Sequence, residues 1–173
     1  MELSKIFDKE NVKYWEYNSA NIDTEMIKIS NQDVELINRG ENSGFSVRVL
    51  YGNAWGFAFS NNFDDLKVVA QNALVNAKAL DKVTKMKVEV STEEVYKDNA
   101  VIKVKKNPFD ISVEEKKDIF LGISKDILSY DSKIKGVSLV YRYEDIKKQF
   151  YNSLGSDIKQ RVPAIIMQSD ITA

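Results

Sequence analysis

Phe45-Ser46-Val47-Arg48-Val49-Leu50-Tyr51-Gly52-Asn53-Ala54-Trp55-Gly56-Phe57-Ala58-Phe59-Ser60 is the stretch that decides the fold. Phe45, Val47, Val49 and Tyr51 alternate with Ser46, Arg48 and Leu50, the period-two signal of a half-buried strand. Gly52-Asn53 supplies a two-residue turn, because glycine adopts positive φ at no steric cost. Beyond it Trp55, Phe57 and Phe59 alternate with Gly56, Ala58 and Ser60. The strand therefore has an aromatic face and a face of small residues. The small face admits a close neighbour, most simply a helix. The aromatic row reads as buried core, since such rings carry large apolar area. Its competing reading is the wall of a peptide groove.

Downstream, Asn61-Asn62 offers a helix N-cap, and Asp64 and Asp65 sit where the helix dipole favours negative charge. Leu66, Val69, Ala70, Ala73, Ala77 and Leu80 then follow helical spacing to about residue 81. Upstream, residues 2–8 read as a helical turn and residues 12–17 as the start of a strand. Ile27 and Ile29 alternate with polar neighbours, and Val34, Leu36 and Ile37 form a second short apolar run. Residues 38–44, rich in asparagine and glycine, read as a turn.

In the second half, residues 86–90 alternate as a strand and residues 93–106 read as a charged connection. Asn107-Pro108-Phe109-Asp110 breaks the chain. Ser112 with Glu115 matches a capping box. Ile119, Phe120, Ile123, Ile127 and Tyr130 supply the expected buried stripe of a second long helix. Val137, Leu139, Tyr141 and Tyr143 alternate as a strand, and residues 147–152 read as another. Asn152-Ser153-Leu154-Gly155 forms a turn in which positive φ accounts for the asparagine and the glycine. Residues 158–172 are a last extended stretch, where Pro163 suits an edge or a bulge. The class that follows is α+β: antiparallel sheet with two long helices packed on one face. Residues 1–173 read as one domain with two lobes, 1–90 and 107–173.

Composition narrows the chemistry. The chain has 173 residues, 25 basic and 26 acidic, with no histidine and no cysteine. No imidazole or thiolate is present to act as base, nucleophile or zinc ligand, so the chain alone is expected to be non-catalytic and free of metal and cofactor. Net charge of −1 argues against binding nucleic acid through bulk electrostatics. The cluster Tyr141-Arg142-Tyr143 with Lys147 and Lys148 is interrupted by Glu144 and Asp145, which argues against a continuous track for single strands. No apolar run is long enough to span a bilayer, and a cytoplasmic location is the expectation.

Three stretches carry a family resemblance, in order along the chain. They are Gly44 to Ala58 with the alanine-rich helix after it, Asn107 to Lys116, and Tyr151-Asn152-Ser153-Leu154-Gly155. Together they resemble the N-terminal domain of the TldD/PmbA family, first called modulators of DNA gyrase. The resemblance implies zinc metallopeptidases in the TldD branch and metal-free partner subunits in the PmbA/TldE branch. It implies a zinc motif, HExxxH with a further cysteine, in a C-terminal half whose motif this sequence lacks. No catalytic or metal-binding residue carries over. The chain is expected to be the non-catalytic N-terminal part of a longer protein. Its expected roles are in dimerisation, with itself or with a TldD/PmbA-type subunit, and in access of a peptide or unfolded-protein substrate, held by β-addition at exposed strand edges. The alternative is a standalone interaction module or adaptor. Direct binding to DNA or gyrase is the weakest reading.

Candidate substrate or interface residues are Arg48, Trp55, Asn152 and Ser153. Arg48 lies between apolar strand neighbours, where an ion pair within the domain competes with a carboxylate of a peptide or one across a subunit interface. Glu114 and Glu115 read as ordinary charges at a helix start.

Overall fold

The computed structural model describes residues 2–91 and 93–173. A short helix α1 (Glu2–Phe7) precedes two long strands, β1 (Tyr14–Ser30) and β2 (Asp33–Tyr51), and the shorter β3 (Ala54–Ser60). Helix α2 (Leu66–Asp81), strand β4 (Lys97–Val101), helix α3 (Val113–Tyr130), and strands β5 (Gly136–Asn152) and β6 (Asp157–Thr172) follow. The hydrogen-bonded order is β3-β2-β1-β5-β6-β4. β2 pairs with β3 antiparallel, and β4 with β6 parallel. The result is the expected α+β class, a mostly antiparallel sheet with packed helices.

The chain forms two compact units, and β1, β2, β5 and β6 each contribute to both. Unit 1 comprises Met1–Asn21, Ser43–Val101 and Lys147–Arg161. Its core joins Phe45, Val47 and Val49 of β2 to Trp15 and Tyr17 of β1, with Val69, Ala70, Ala73 and Leu74 of α2 and Leu3 and Phe7 of α1. The small-residue face of β3 meets α2, as its composition predicts. At Gly56 an added Cβ would lie 1.9 Å from the Ala73 carbonyl oxygen and 2.5 Å from the Ala77 nitrogen. Only glycine permits that approach. The β2–β3 turn docks on the far end of the same helix: Gly52 has φ 55°, and the Asn53 amide donates to Asp81 Oδ1 at 2.6 Å. At the near end Asn62 caps a short 3-10 turn by accepting from the Asp64 amide at 3.2 Å.

Unit 2 comprises Ile22–Asn42, Ile102–Ile146 and Val162–Ala173. Ile27, Ile29, Val137, Leu139, Tyr141 and Tyr143 form its core with Phe120 of α3. Helix α3 is rotated from the expected stripe. Ile119 and Tyr130 are 52% and 88% exposed, and the buried positions are Lys116, Phe120 and Ser124. Polar anchors set this rotation. Lys116 Nζ donates to Oε1 of the fully buried Glu25, and Ser124 Oγ donates to the Asn31 carbonyl. Arg39 completes the group, its Nη2 2.6 Å and Nε 3.1 Å from Glu25 Oε2. Ser112 caps α3 by accepting from the Glu115 amide at 3.0 Å.

Other expectations change as well. Residues 38–44 are not a turn; β2 runs through them. The reversal falls at Asn31-Gln32, where Asn31 has φ 55° and its Oδ1 accepts from the Val137 amide at 3.0 Å. Residues 147–152 continue β5 rather than forming a strand of their own. Residues 86–90 form no strand, whereas β4 lies in the stretch read as a connection. β4 is exposed along its whole length, so no apolar alternation marks it. Its ladder with β6 ends at Val101↔Arg161. Pro163 lies just beyond, where a missing amide leaves that ladder intact.

Two stability measurements probe these contacts. Gly56→Ala forces strand and helix backbones apart and should cost about 3 kcal/mol in urea unfolding, whereas Gly122→Ala, where an added Cβ meets nothing within 4 Å, should be neutral or stabilising. Glu25→Ala leaves Lys116 buried without its carboxylate and should cost about 3–5 kcal/mol; Lys116→Met should cost less, because Arg39 still holds Glu25.

Candidate functional site

On the core side of β1, Trp15 and Tyr17 pack beneath α2 with Tyr151 of β5, Tyr17 stacking on Tyr151 at 4.4 Å. Strand alternation therefore places Tyr14 and Glu16 on the opposite face. Arg48 of β2 and Trp55 of β3 join them there, for the same reason: their neighbours Val47, Val49 and Gly56 face the core and α2.

These four side chains form a closed ring of contacts. The Tyr14 hydroxyl donates to Glu16 Oε2 at 2.9 Å. Glu16 Oε1 pairs with Arg48 Nε at 3.1 Å. The Arg48 guanidinium lies over the Trp55 indole, 4.2 Å from its centre. Trp55 meets Tyr14 edge-on at 5.7 Å. Asn152 Nδ2 closes on the Tyr14 oxygen at 3.3 Å. Glu16 satisfies Arg48 from within the unit, as the intradomain reading of Arg48 expects. Burial pushes the Tyr14 phenol up to about 12, with the Glu16 carboxylate adding to the shift and the Asn152 hydrogen bond opposing it.

A groove of about 530 Å³ opens over this ring. Phe150, Asn152, Leu154, Ser156 and Ile158 line it from the β5–β6 end, and Glu89, Val90, Ser91, Glu93, Glu94 and Tyr96 line it from the segment after α2. That segment is fastened by main chain: the Tyr96 amide donates to Ser156 Oγ at 3.3 Å, and its carbonyl accepts from the Asp157 amide at 2.9 Å.

The structure brings Arg48, Trp55 and Asn152 together in this groove. Ser153 does not line it. Its Oγ accepts from the Trp15 amide at 3.2 Å and its amide donates to the Trp15 carbonyl at 2.9 Å, so it fastens the end of β5 to β1. In the turn, positive φ belongs to Gly155, at 105°, and not to Asn152. Asn152 contributes its side chain instead: Oδ1 accepts from the Leu154 and Ser156 amides, both at 3.1 Å. The aromatic row corrects a second expectation. Phe57 and Phe59 are 52% and 75% exposed, because α2 takes the small face and leaves the aromatic face open. Tyr14 and Glu16 were missed in the sequence, although their alternation with Trp15 and Tyr17 is a signal for a second face.

The groove presents an indole wall, a guanidinium and several carboxylates. Its carboxylates can accept from amine donors, and its indole offers an apolar wall. The groove does not suit a zinc ion. The sequence has no histidine or cysteine, and among the described residues no group of three or more Asp or Glu is placed to hold a metal. Among the described residues, too, no helix is long and apolar enough to cross a membrane.

Residues 21–77 match the family described as PmbA/TldA metallopeptidase domain 1, and residues 106–173 match the PmbA/TldA metallopeptidase central domain. The chain belongs to the TldD/PmbA family. It is 31% identical over 149 residues to a metalloprotease of Methanocaldococcus jannaschii, covering 85% of this chain and 33% of that protein. It is 25% identical over 138 residues to a zinc metalloprotease TldD homolog of Saccharolobus solfataricus, covering 73% of this chain and 26% of that one. The chain thus spans about a quarter to a third of the length of these curated relatives. Its fold is shared with TldE of Thermococcus kodakarensis, at a TM-score of 0.63, 16% identity, and coverage of 95% of this chain and 41% of that one. A Bacteroides thetaiotaomicron protein described as a modulator of DNA gyrase shares it at a TM-score of 0.77 and 14% identity, over 98% of this chain and 39% of that one.

The Tyr14 phenol gives the ring a pH signature. An ordinary phenol loses its proton near 10.0, but folded Tyr14 keeps it to about 12. The folded state binds more protons in that window, so this contribution to stability is lost as pH rises from 10.0 to about 12. Tyr14→Phe should remove one late-ionising phenol from an alkaline absorbance titration and make unfolding less steeply dependent on pH in that window.

Proposed function

We propose that this chain is the non-catalytic N-terminal part of a cytoplasmic TldD/PmbA-type metallopeptidase, and that it admits and holds the peptide substrate and contributes to a dimer with another subunit of the family. The observation that carries this reading is the groove beside Trp55. An extended peptide lying in it meets the indole and Phe150 as apolar walls and Glu89, Glu93 and Glu94 as acceptors for amines. Phe57 and Phe59 continue the aromatic row beyond the groove, an exposed apolar surface of the kind a partner subunit covers. The relatives' names support a metal-dependent peptidase for the whole protein. The zinc ligands of an active member would come from outside the matched third, since this chain carries no imidazole or thiolate.

A fluorescein-labelled, unstructured peptide alternating lysine with aliphatic residues tests the reading. Binding should be saturable by anisotropy and weaken about tenfold in Trp55→Ala, as for an aromatic anchor. Mass spectrometry of the same mixture with chelator should show intact peptide. Cleavage in chelator, or binding indifferent to both Trp55→Ala and Arg48→Ala, overturns it.

A further inference from the structure

The segment after α2 has the sequence of a strand and no sheet to join. Met86, Val88 and Val90 alternate with Lys85, Lys87, Glu89 and Ser91, yet among the described residues none of 85–91 makes a main-chain hydrogen bond. Their side chains pair locally and leave the main chain alone: Lys87 Nζ lies 2.5 Å from Glu89 Oε1, and Ser91 Oγ donates to Glu93 Oε1 at 3.0 Å. Val88 is half-buried and the other residues of 85–91 are exposed, so solvent can serve these amides and carbonyls in the free chain. Both ends of the segment are fixed. Upstream, the Val83 and Thr84 amides donate to the Leu80 carbonyl at 3.1 and 3.0 Å; downstream, Tyr96 is fastened to Ser156 and Asp157. Between these ties the segment crosses the open face of unit 1. Val88 and Val90 share a cavity of about 410 Å³ with Tyr14, Leu50 and Leu154, and Glu89, Val90 and Ser91 wall the groove over Arg48 and Trp55. Strands pair side by side within a sheet, so a segment lying across a face finds no neighbour there.

We infer that residues 87–91 are a preformed strand whose missing partner is the bound peptide. The inference rests on the reading of the groove as a site for an extended peptide, and it names the main chain as what is recognised. A peptide in the groove lies beside Glu89, Val90 and Ser91, and its amides and carbonyls complete a ladder with theirs, as in strand addition. Pairing of this kind is tolerant of sequence, so Trp55 and the carboxylates are left to choose among side chains. Because the segment is tied at both ends, little freedom is lost when it pairs. The pairing also accounts for Val88 and Val90, β-branched residues suited to a strand at a place where the free chain forms none.

Amide exchange followed by NMR, with the chain saturated by the peptide that alternates lysine with aliphatic residues, tests this. Amides within 87–91 should exchange about tenfold more slowly than in the free chain. Only alternate ones should do so, because successive amides of an extended chain point to opposite sides. Two versions of the peptide, N-methylated on the lysine residues or on the aliphatic ones, should then separate in anisotropy. The version that blocks the edge facing the segment should bind about tenfold more weakly, and the other should bind like the parent peptide. Parent binding that depends on Trp55, with exchange at 87–91 unchanged and both methylated versions equal to the parent, overturns the pairing and leaves the groove reading standing. No binding of the parent peptide overturns both.

Discussion

The contact on which unit 1 depends is the approach of β3 to α2 at Gly56. A strand has two faces, and the helix can lie close to only one. With no side chain at Gly56 and methyl groups at Ala58, Ala73 and Ala77, backbone meets backbone there. Dispersion across such a contact is dense, and interiors tolerate little change in volume at that density. The same choice fixes the other face. Trp55, Phe57 and Phe59 point away from the helix because Gly56 and Ala58 point toward it. The open aromatic row and the groove beside Arg48 are thus consequences of packing decided on the reverse side of the strand.

The sequence makes part of this legible. The hairpin at Gly52-Asn53, the cap at Asn62, the alanine stripe of α2 and the meeting of helix with small residues all follow from local periodicity and turn chemistry. Which face of β3 stays open is not legible, because large rings normally report core, whereas the helix packs on the face of small residues. Helix α3 shows the same limit in another form. Its most apolar stripe includes Ile119 and Tyr130, yet the helix turns Lys116 and Ser124 inward. Apolar periodicity cannot anticipate a buried carboxylate at Glu25, which lies 91 residues from Lys116. A charge in the core outweighs a few exposed aliphatic side chains, since an unpaired buried carboxylate costs several kcal/mol (about 3–5).

The candidate site was half visible. Arg48, Trp55 and Asn152 stood out individually, as an odd charge, a large ring and a turn residue. Their assembly into one ring required Tyr14 and Glu16, whose alternation with Trp15 and Tyr17 marks a second strand face but not what meets there, and pairing between strands far apart in the chain. Short exposed elements were invisible for a different reason. β4 has no buried residue, so it is held by its ladder to β6, and main-chain hydrogen bonds leave no trace in hydropathy. The family resemblance contributed what periodicity cannot, namely that this arrangement is one that the TldD/PmbA family shares.

The fastening of Ser153 to Trp15 has a consequence for how the molecule is made. The two residues are 138 positions apart, and the order β1-β5 puts strands from opposite ends of the chain side by side at the centre of the sheet. Unit 2 is similarly distant in its ties, with Asn31 and Val137 separated by 106 positions. During synthesis the hairpins and α2 emerge first, with one long side of β1 unpaired until β5 arrives. Contacts of this range slow folding, because a large loop must close before they form. Over that interval the bare edge of β1, where the amide and carbonyl of Trp15 await Ser153, is open to the wrong partner. The sheet is sealed from the middle, and last.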